Sequence, residues 1–324
     1  MIVIQKNIPL APLTTFKIGG PAKFFAEVRN EAELLEALDF AKKNGLEIFM
    51  LGGGSNVLFS DKGFDGLVIK LQETRDLPAL KLRQASKIQK GIKITGELVE
   101  CWAGDNLSSI VNFAKENSLT GMEWAVGIPG TVGGAVRGNA GAYSGQMADN
   151  VYSVRVLNAE NKKIIDYSRE DCQFAYRSSI FKKNHQLIIL AVKLKLEKGE
   201  KEMIEKKMQE TITKRNVVVP KGLSAGSFFQ NPTVENLELR QKFEKDTGAK
   251  VQDGKIPAGW LIEEAGFCEK KIGGIMVSGK HANFFINDGT ATAEDVIILS
   301  SMIKQKLREE LDVQIKEEVM YVGF

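Results

Sequence analysis

GIPGTVGGAVRGNAGA, residues 127–142, holds nine Gly or Ala in sixteen positions and no acidic residue. Something must approach this backbone closely. A flexible linker would set its glycines among serine and other polar residues, whereas Ile128, Val132 and Val136 predict a packed, structured segment. Glycine is used at such density where φ is positive or where a Cβ would block a neighbour. The residues alone leave two readings open: a run of tight turns in a crowded core, or a loop that cradles a cofactor.

A second cluster, Gly52-Gly53-Gly54-Ser55-Asn56, directly follows the apolar run Ile48–Leu51, which reads as a buried strand. Successive amides in such a turn form an anion-binding nest, with Ser55 and Asn56 adding side-chain donors, so phosphate would need no Lys or Arg there. An ordinary glycine turn after a strand fits the residues equally well. Neither a G-x-x-x-x-G-K-[ST] loop nor a strand-coupled G-x-G-x-x-G is present, which disfavours P-loop and Rossmann folds.

The 324 residues, 43% hydrophobic, are enough for two or three domains with sizeable cores. A net charge of +3, from 44 basic and 41 acidic side chains, offers no broad attraction to nucleic acid or an anionic membrane. Any anionic ligand must be met locally. Cys101, Cys172 and Cys268 are odd in number and far apart, which argues against a disulfide framework and fits a reducing cytoplasm. His185 and His281 lie in no H-E-x-x-H context, so no metal site is expected. The first residues lack a signal-peptide apolar region, and the run Leu187–Val192 is too short to span a bilayer. A soluble, cytoplasmic chain is expected.

Periodicity predicts a helix over 31–44 capped by Asn30, with Leu34, Leu35, Leu38 and Ala41 on one face. Strands are predicted at 47–51, 67–71, 92–94, 98–99, 151–157 and 187–196, the last with Val192, Leu194 and Leu196 on one face. Helices are predicted at 105–116, 200–215, 258–265 and 293–307, the last with Thr292 and Asp295 as its cap. A final strand is predicted over 313–322. Residues 72–91 are charged and poorly patterned and read as a boundary.

Seven motifs occur in an order that resembles the PP-type FAD-binding domain of the vanillyl-alcohol oxidase class and, more closely, the MurB family of UDP-N-acetylenolpyruvoylglucosamine reductases. They are Thr14–Gly20 (TTFKIGG), GGGSN, GIPGTVGGA, Asn139–Tyr143 (NAGAY), Tyr176–Ser179 (YRSS), Gly226–Pro232 (GSFFQNP) and Glu318-Val319. The resemblance implies an α+β fold: FAD-binding subdomains at 1–75 and 76–205, a C-terminal α/β substrate domain at 206–312, and a strand at 313–324 returning to the FAD-binding body. It implies noncovalent FAD held by Gly52, Gly53, Gly54, Ser55, Asn56, Gly127, Ile128, Pro129, Gly130, Thr131, Gly133, Gly134, Asn139, Ala140 and Gly141. NADPH would be the hydride donor and a UDP-sugar the substrate, with the product a UDP-N-acetylmuramate for peptidoglycan synthesis. Arg177 would stabilise the substrate carboxylate and developing enolate, Ser227 would protonate C2, and Glu318 would assist from the other side. Tyr176, Asn231, His281 and Asn283 would touch the substrate, and Arg215 or Lys221 would supply a cation for the diphosphate. A monomer with neither nucleic-acid nor membrane partner is expected.

Taken singly, these residues also have ordinary readings: Arg177 in a surface ion pair, Ser227 in a turn, Glu318 as one solvated acid of the run Lys316-Glu317-Glu318. The chain departs from the family at Gln230, where Lys is usual, and at Gly138 and Ser144. Between Arg177 and Leu187 there is no room for the tyrosine-bearing loop of one subclass, so the chain is similar to the loop-lacking type II members, with a longer stretch at 233–257 of unassigned purpose. Two other readings remain: another PP-type flavin oxidoreductase acting on an alcohol or sugar, and a noncatalytic nucleotide-binding module.

Overall fold

Leu34, Ala37, Leu38 and Ala41 form the buried face of a helix, Glu31–Lys43, in a computed structural model that describes residues 2–73, 88–89 and 92–324. The Asn30 side chain caps it by accepting from Glu33 N at 2.9 Å. Most of the boundary expected at 72–91 lies outside the described residues. The chain separates into two units: residues 1–7, 23–53 and 65–217 make the first, and 8–22, 54–64 and 218–324 the second.

Two sheets build the first unit. One has the order Ile4–Pro9, Pro21–Val28, Phe64–Leu71, Glu47–Leu51, the last two strands parallel. The other is antiparallel, in the order Ile164–Ser168, Val151–Asn158, Leu187–Lys195, Leu98–Trp102, Ile92–Thr95, Ile88–Gln89. Leu187–Leu190 are all buried, and beyond them Val192, Leu194 and Leu196 alternate into the core as predicted. The helix expected at 105–116 begins later, as Leu107–Glu116, because Asp105 turns back to accept from Trp102 N at 2.9 Å. The helix expected at 200–215 forms as Lys201–Val218, with Ile204 and Met208 buried.

The second unit is organised on the helix Ala293–Leu311, whose stripe Val296, Leu299, Ile303 and Leu307 is completely buried. Thr292 and Asp295 form the expected capping box, and the Asp61 carboxylate also accepts from Ala293 N at 3.0 and 2.9 Å. Against its core stand a three-stranded sheet, Lys271–Ile272, Ile275–Val277 and Phe285–Asn287, and a parallel pair, Val57–Phe59 with Met320–Val322. The single strand expected over 313–322 is corrected here: only Met320–Val322 is a strand. Val313 and Ile315 are buried, so their alternation records burial without ladder pairing. Within 233–257 lies an unexpected helix, Leu237–Thr247, capped by Asn236 and ended by Gly248 at φ +69°. Only Leu239 and Phe243 face its core, too sparse a stripe to stand out among charges.

Candidate active site

In the first unit, Gly52 and Gly53 of the first glycine loop pack against the second loop. A Cβ on Gly53 would lie 2.7 Å from Gly130 Cα, one on Gly52 2.8 Å from Thr131 Oγ1, and one on Gly133 2.8 Å from Ala103 Cβ. Main-chain bonds hold the second loop: Leu107 N donates to Gly130 O at 3.0 Å, Val132 N to Asp105 O at 2.9 Å and Gly133 N to Ala103 O at 2.9 Å. Thr131 caps the short helix Val132–Gly138 through Gly134 N at 3.3 Å. The glycines are therefore needed for crowding, which by itself leaves the cofactor reading open. What favours that reading lies in the 52–56 turn: among the described residues, the amides of Gly53, Gly54 and Asn56 donate to no protein acceptor. Such a set of unspent donors suits a phosphate, and so fits the pyrophosphate of a dinucleotide.

Asn139 ends the Val132–Gly138 helix in the left-handed conformation, φ 44°, and its buried side chain works inward. Its Nδ2 donates to Gln146 Oε1 at 2.9 Å and Ala175 O at 3.0 Å, and its Oδ1 accepts from Ala148 N at 2.9 Å. It ties the hairpin Gly141–Gln146 and the Tyr176–Arg177 turn to the helix end. Ala140 N, in turn, donates to Ala135 O at 2.8 Å. Ala175 and Ser178 exchange both backbone bonds at 3.0 Å, which puts Tyr176 and Arg177 at the tip of a two-residue turn, Arg177 with φ +53°. A left-handed arginine is strained backbone, the kind of cost that clusters at working sites. Arg177 Nη2 donates to Gly141 O at 2.9 Å, and its guanidinium lies 5.2 Å from the Tyr176 ring. Arg215 is half-buried, donates to Gly127 O at 3.1 Å, and has its pKa lowered by that burial. Ile128 N closes a turn onto Ala125 O at 3.1 Å, and Pro129 follows it.

In the second unit, the GSFFQNP segment is an extended strip laced on both sides. Phe228 N donates to Asn283 O at 2.7 Å. Asn283 grips the Phe229 backbone twice, Oδ1 accepting from Phe229 N at 2.9 Å and Nδ2 donating to Phe229 O at 2.8 Å. On the other side Glu318 N donates to Phe228 O at 2.8 Å and Gln230 N to Lys316 O at 2.9 Å. Phe228 and Phe229 are buried, with Phe228 stacked on Phe285 at 4.2 Å. Ser227 is thereby held on a rigid strip while its hydroxyl makes no hydrogen bond to any described residue. Of the two adjacent acids, Glu317 pairs with Lys304 at 2.7 Å.

Asn231 Oδ1 accepts from Ala258 N at 3.0 Å, at the start of the helix Ala258–Glu264. His281 Nδ1 accepts from Asn283 N at 3.2 Å, which fixes its neutral form as the Nε2–H tautomer, and burial lowers its pKa. Its ring rests on Gly259, where a Cβ would lie 2.8 Å from Cε1. Lys221 is exposed. The structure thus brings Ser227, Glu318, Asn283, His281 and Asn231 onto one unit, and Arg177, Tyr176 and Arg215 onto the other. The bond from Asn56 Nδ2 to Glu318 O, 3.1 Å long, was not foreseen, since no local pattern links residues 262 positions apart.

A family model for the C-terminal domain of UDP-N-acetylenolpyruvoylglucosamine reductase matches residues 219–322, and one for an FAD binding domain matches residues 22–166. The chain is 34% identical to the UDP-N-acetylenolpyruvoylglucosamine reductase of Solibacter usitatus (strain Ellin6076), covering 99% of this chain and 97% of that relative. It is 38% identical to the one from Caldanaerobacter subterraneus subsp. tengcongensis, over 98% of this chain and 93% of the relative. The crystal structure of UDP-N-acetylenolpyruvylglucosamine reductase (MurB) from Thermus caldophilus aligns with a TM-score of 0.76 at 30% identity, covering 99% of this chain and all of that one.

Proposed function

Since the chain belongs to the UDP-N-acetylenolpyruvoylglucosamine reductase family, we propose which of its residues carry the reaction. It is an FAD-containing, NADPH-dependent reductase that turns UDP-N-acetylglucosamine enolpyruvate into UDP-N-acetylmuramate for peptidoglycan synthesis. FAD, held noncovalently by the residues of the glycine loops, would supply the hydride chemistry between NADPH and the enolpyruvyl group.

Ser227 is the proton donor, and one observation carries that assignment: its hydroxyl is without a described protein partner on a strip whose backbone is bonded on both sides. A positioned donor of this kind contributes about 10²- to 10⁴-fold in rate. Arg177 meets the carboxylate and the negative charge that grows beside it, work suited to a permanently charged, multi-donor guanidinium. Glu318 polarises the enolpyruvyl group as an acid. The 52–56 and 127–134 loops hold the cofactor, its phosphates met by the amides of Gly53, Gly54 and Asn56, with Asn139, Ala140 and Gly141 shaping the adjoining hairpin. Tyr176 and His281 touch the substrate, the latter donating from Nε2, while Asn231 and Asn283 support it through the bonds they make to Ala258 and Phe229. Arg215 is the better placed of the two candidate cations, because its half-buried guanidinium already lies at Gly127. The enzyme acts as a cytoplasmic monomer without nucleic-acid or membrane partners; among the described residues no helix is long and apolar enough to cross a membrane.

Stopped-flow spectroscopy of the two half-reactions tests this. Ser227→Ala is expected to leave flavin reduction by NADPH intact and to slow reoxidation by the enolpyruvyl substrate about 10²-fold or more. Reoxidation at the wild-type rate would remove Ser227 from the mechanism.

A further inference from the structure

Asn56 closes the first glycine loop, and both its polar ends face the segment that carries the proposed acid. Its Nδ2 donates to Glu318 O at 3.1 Å, and its own carbonyl accepts from Met320 N at 3.2 Å. On the other flank, Glu318 N donates to Phe228 O at 2.8 Å, and Phe228 is the residue after Ser227. The main chain of Glu318 is therefore held at both polar groups, once by the strip bearing the proton donor and once by a side chain of the glycine loop. A residue whose N–H and carbonyl are both bonded has the two peptides flanking its Cα held, which sets the Cα–Cβ direction and narrows where the carboxyl group can stand.

We propose that Asn56 is a positioning residue for Glu318, acting through the Glu318 carbonyl rather than through a ligand. The inference rests on the role given to Glu318 above. Its physical basis is orientation: a reacting group displaced by about 1 Å loses on the order of 10²-fold in rate, and freeing one carbonyl releases only part of the constraint, because Phe228 O still holds the amide. Asn56 thus makes one short loop serve both the cofactor phosphate, through backbone donors, and the acid, through its side chain.

The test is a double-mutant cycle on the flavin-loaded enzyme. Asn56→Asp keeps the shape but removes the N–H donor, and Asn56→Ala removes the group. Each is made in the wild-type and Glu318→Ala backgrounds, with reoxidation by enolpyruvyl substrate measured per bound flavin across pH. We expect each Asn56 variant alone to slow reoxidation about tenfold and to displace the pH limb that Glu318→Ala abolishes. In the Glu318→Ala background the same change should cost less than about twofold, since coupled residues are non-additive. Asn56→Gln, which retains a donor, should recover part of the rate. Equal slowing in both backgrounds, or an unmoved pH limb, would show that Asn56 acts independently of Glu318 and overturn the proposal. If Glu318→Ala itself reoxidises at the wild-type rate, the role of Glu318 fails instead, and the positioning role falls with it.

Discussion

At the scale of single residues, Gly53 has room for a hydrogen and nothing more. The atom a Cβ would strike is the Cα of Gly130, and backbone cannot swing aside as a side-chain tip can. Gly53→Ala should therefore destabilise the fold by about 1–3 kcal/mol, read as a lower urea midpoint, and should weaken FAD retention in the same preparation. His281 makes a prediction in pH. Burial lowers its folded-state pKa, so below the unfolded value near 6.5 the unfolded chain binds the proton first. The stability it contributes is full above that pH and drains away as pH falls through the folded-state pKa. His281→Gln should flatten the decline in melting temperature on the acid side of pH 6.5, and an unchanged slope would rule the residue out as its source. Ser227, Arg177 and Glu318 are candidates on motif position, because motif spacing survives in one dimension, and their roles stand as proposed above. The commitments of Asn139, Asn283 and Asn56 were not: each bonds to backbone remote in sequence, and an asparagine looks the same in a sequence whether it faces ligand or protein.

Elements with a dense stripe and explicit caps could be read directly. Ala293–Leu311 combines Val296, Leu299, Ile303 and Leu307 with the Thr292–Asp295 box, and all of these features are realised. Thr292→Ala should cost about 0.5–2 kcal/mol, towards the low end because Asp61 also satisfies Ala293 N; calorimetric melting measures it. Leu237–Thr247 is the opposite case, two apolar residues carrying a whole helix. Phe243 is buried with its ring edge-on to Trp260 at 5.4 Å. Phe243→Ala should cost about 3–5 kcal/mol, and a cost below 1 kcal/mol in urea unfolding would mean the helix is an ornament. The misjudged strand at 313–322 failed for a related reason. Alternating burial can be produced by any extended segment pressed on a core, and only the partner strand tells the two apart.

At the scale of the molecule, the matched C-terminal family domain begins at residue 219, yet the second unit is not contiguous in sequence. Its core includes Phe16, Ile18 and Leu58, and its parallel pair needs Val57–Phe59. A fragment of residues 218–324 alone should therefore lack a cooperative thermal transition, whereas adding a peptide of residues 54–64 should not by itself restore the Phe16 and Ile18 contacts. The same threading has a temporal consequence. Val57–Phe59 leave the ribosome long before Met320–Val322, and with synthesis at about 5–20 residues per second the earlier strand waits tens of seconds for its only described ladder partner. Until then a short apolar edge stands open in the nascent polypeptide, and Glu318, the acid of the proposed chemistry, arrives only with the strand that closes it.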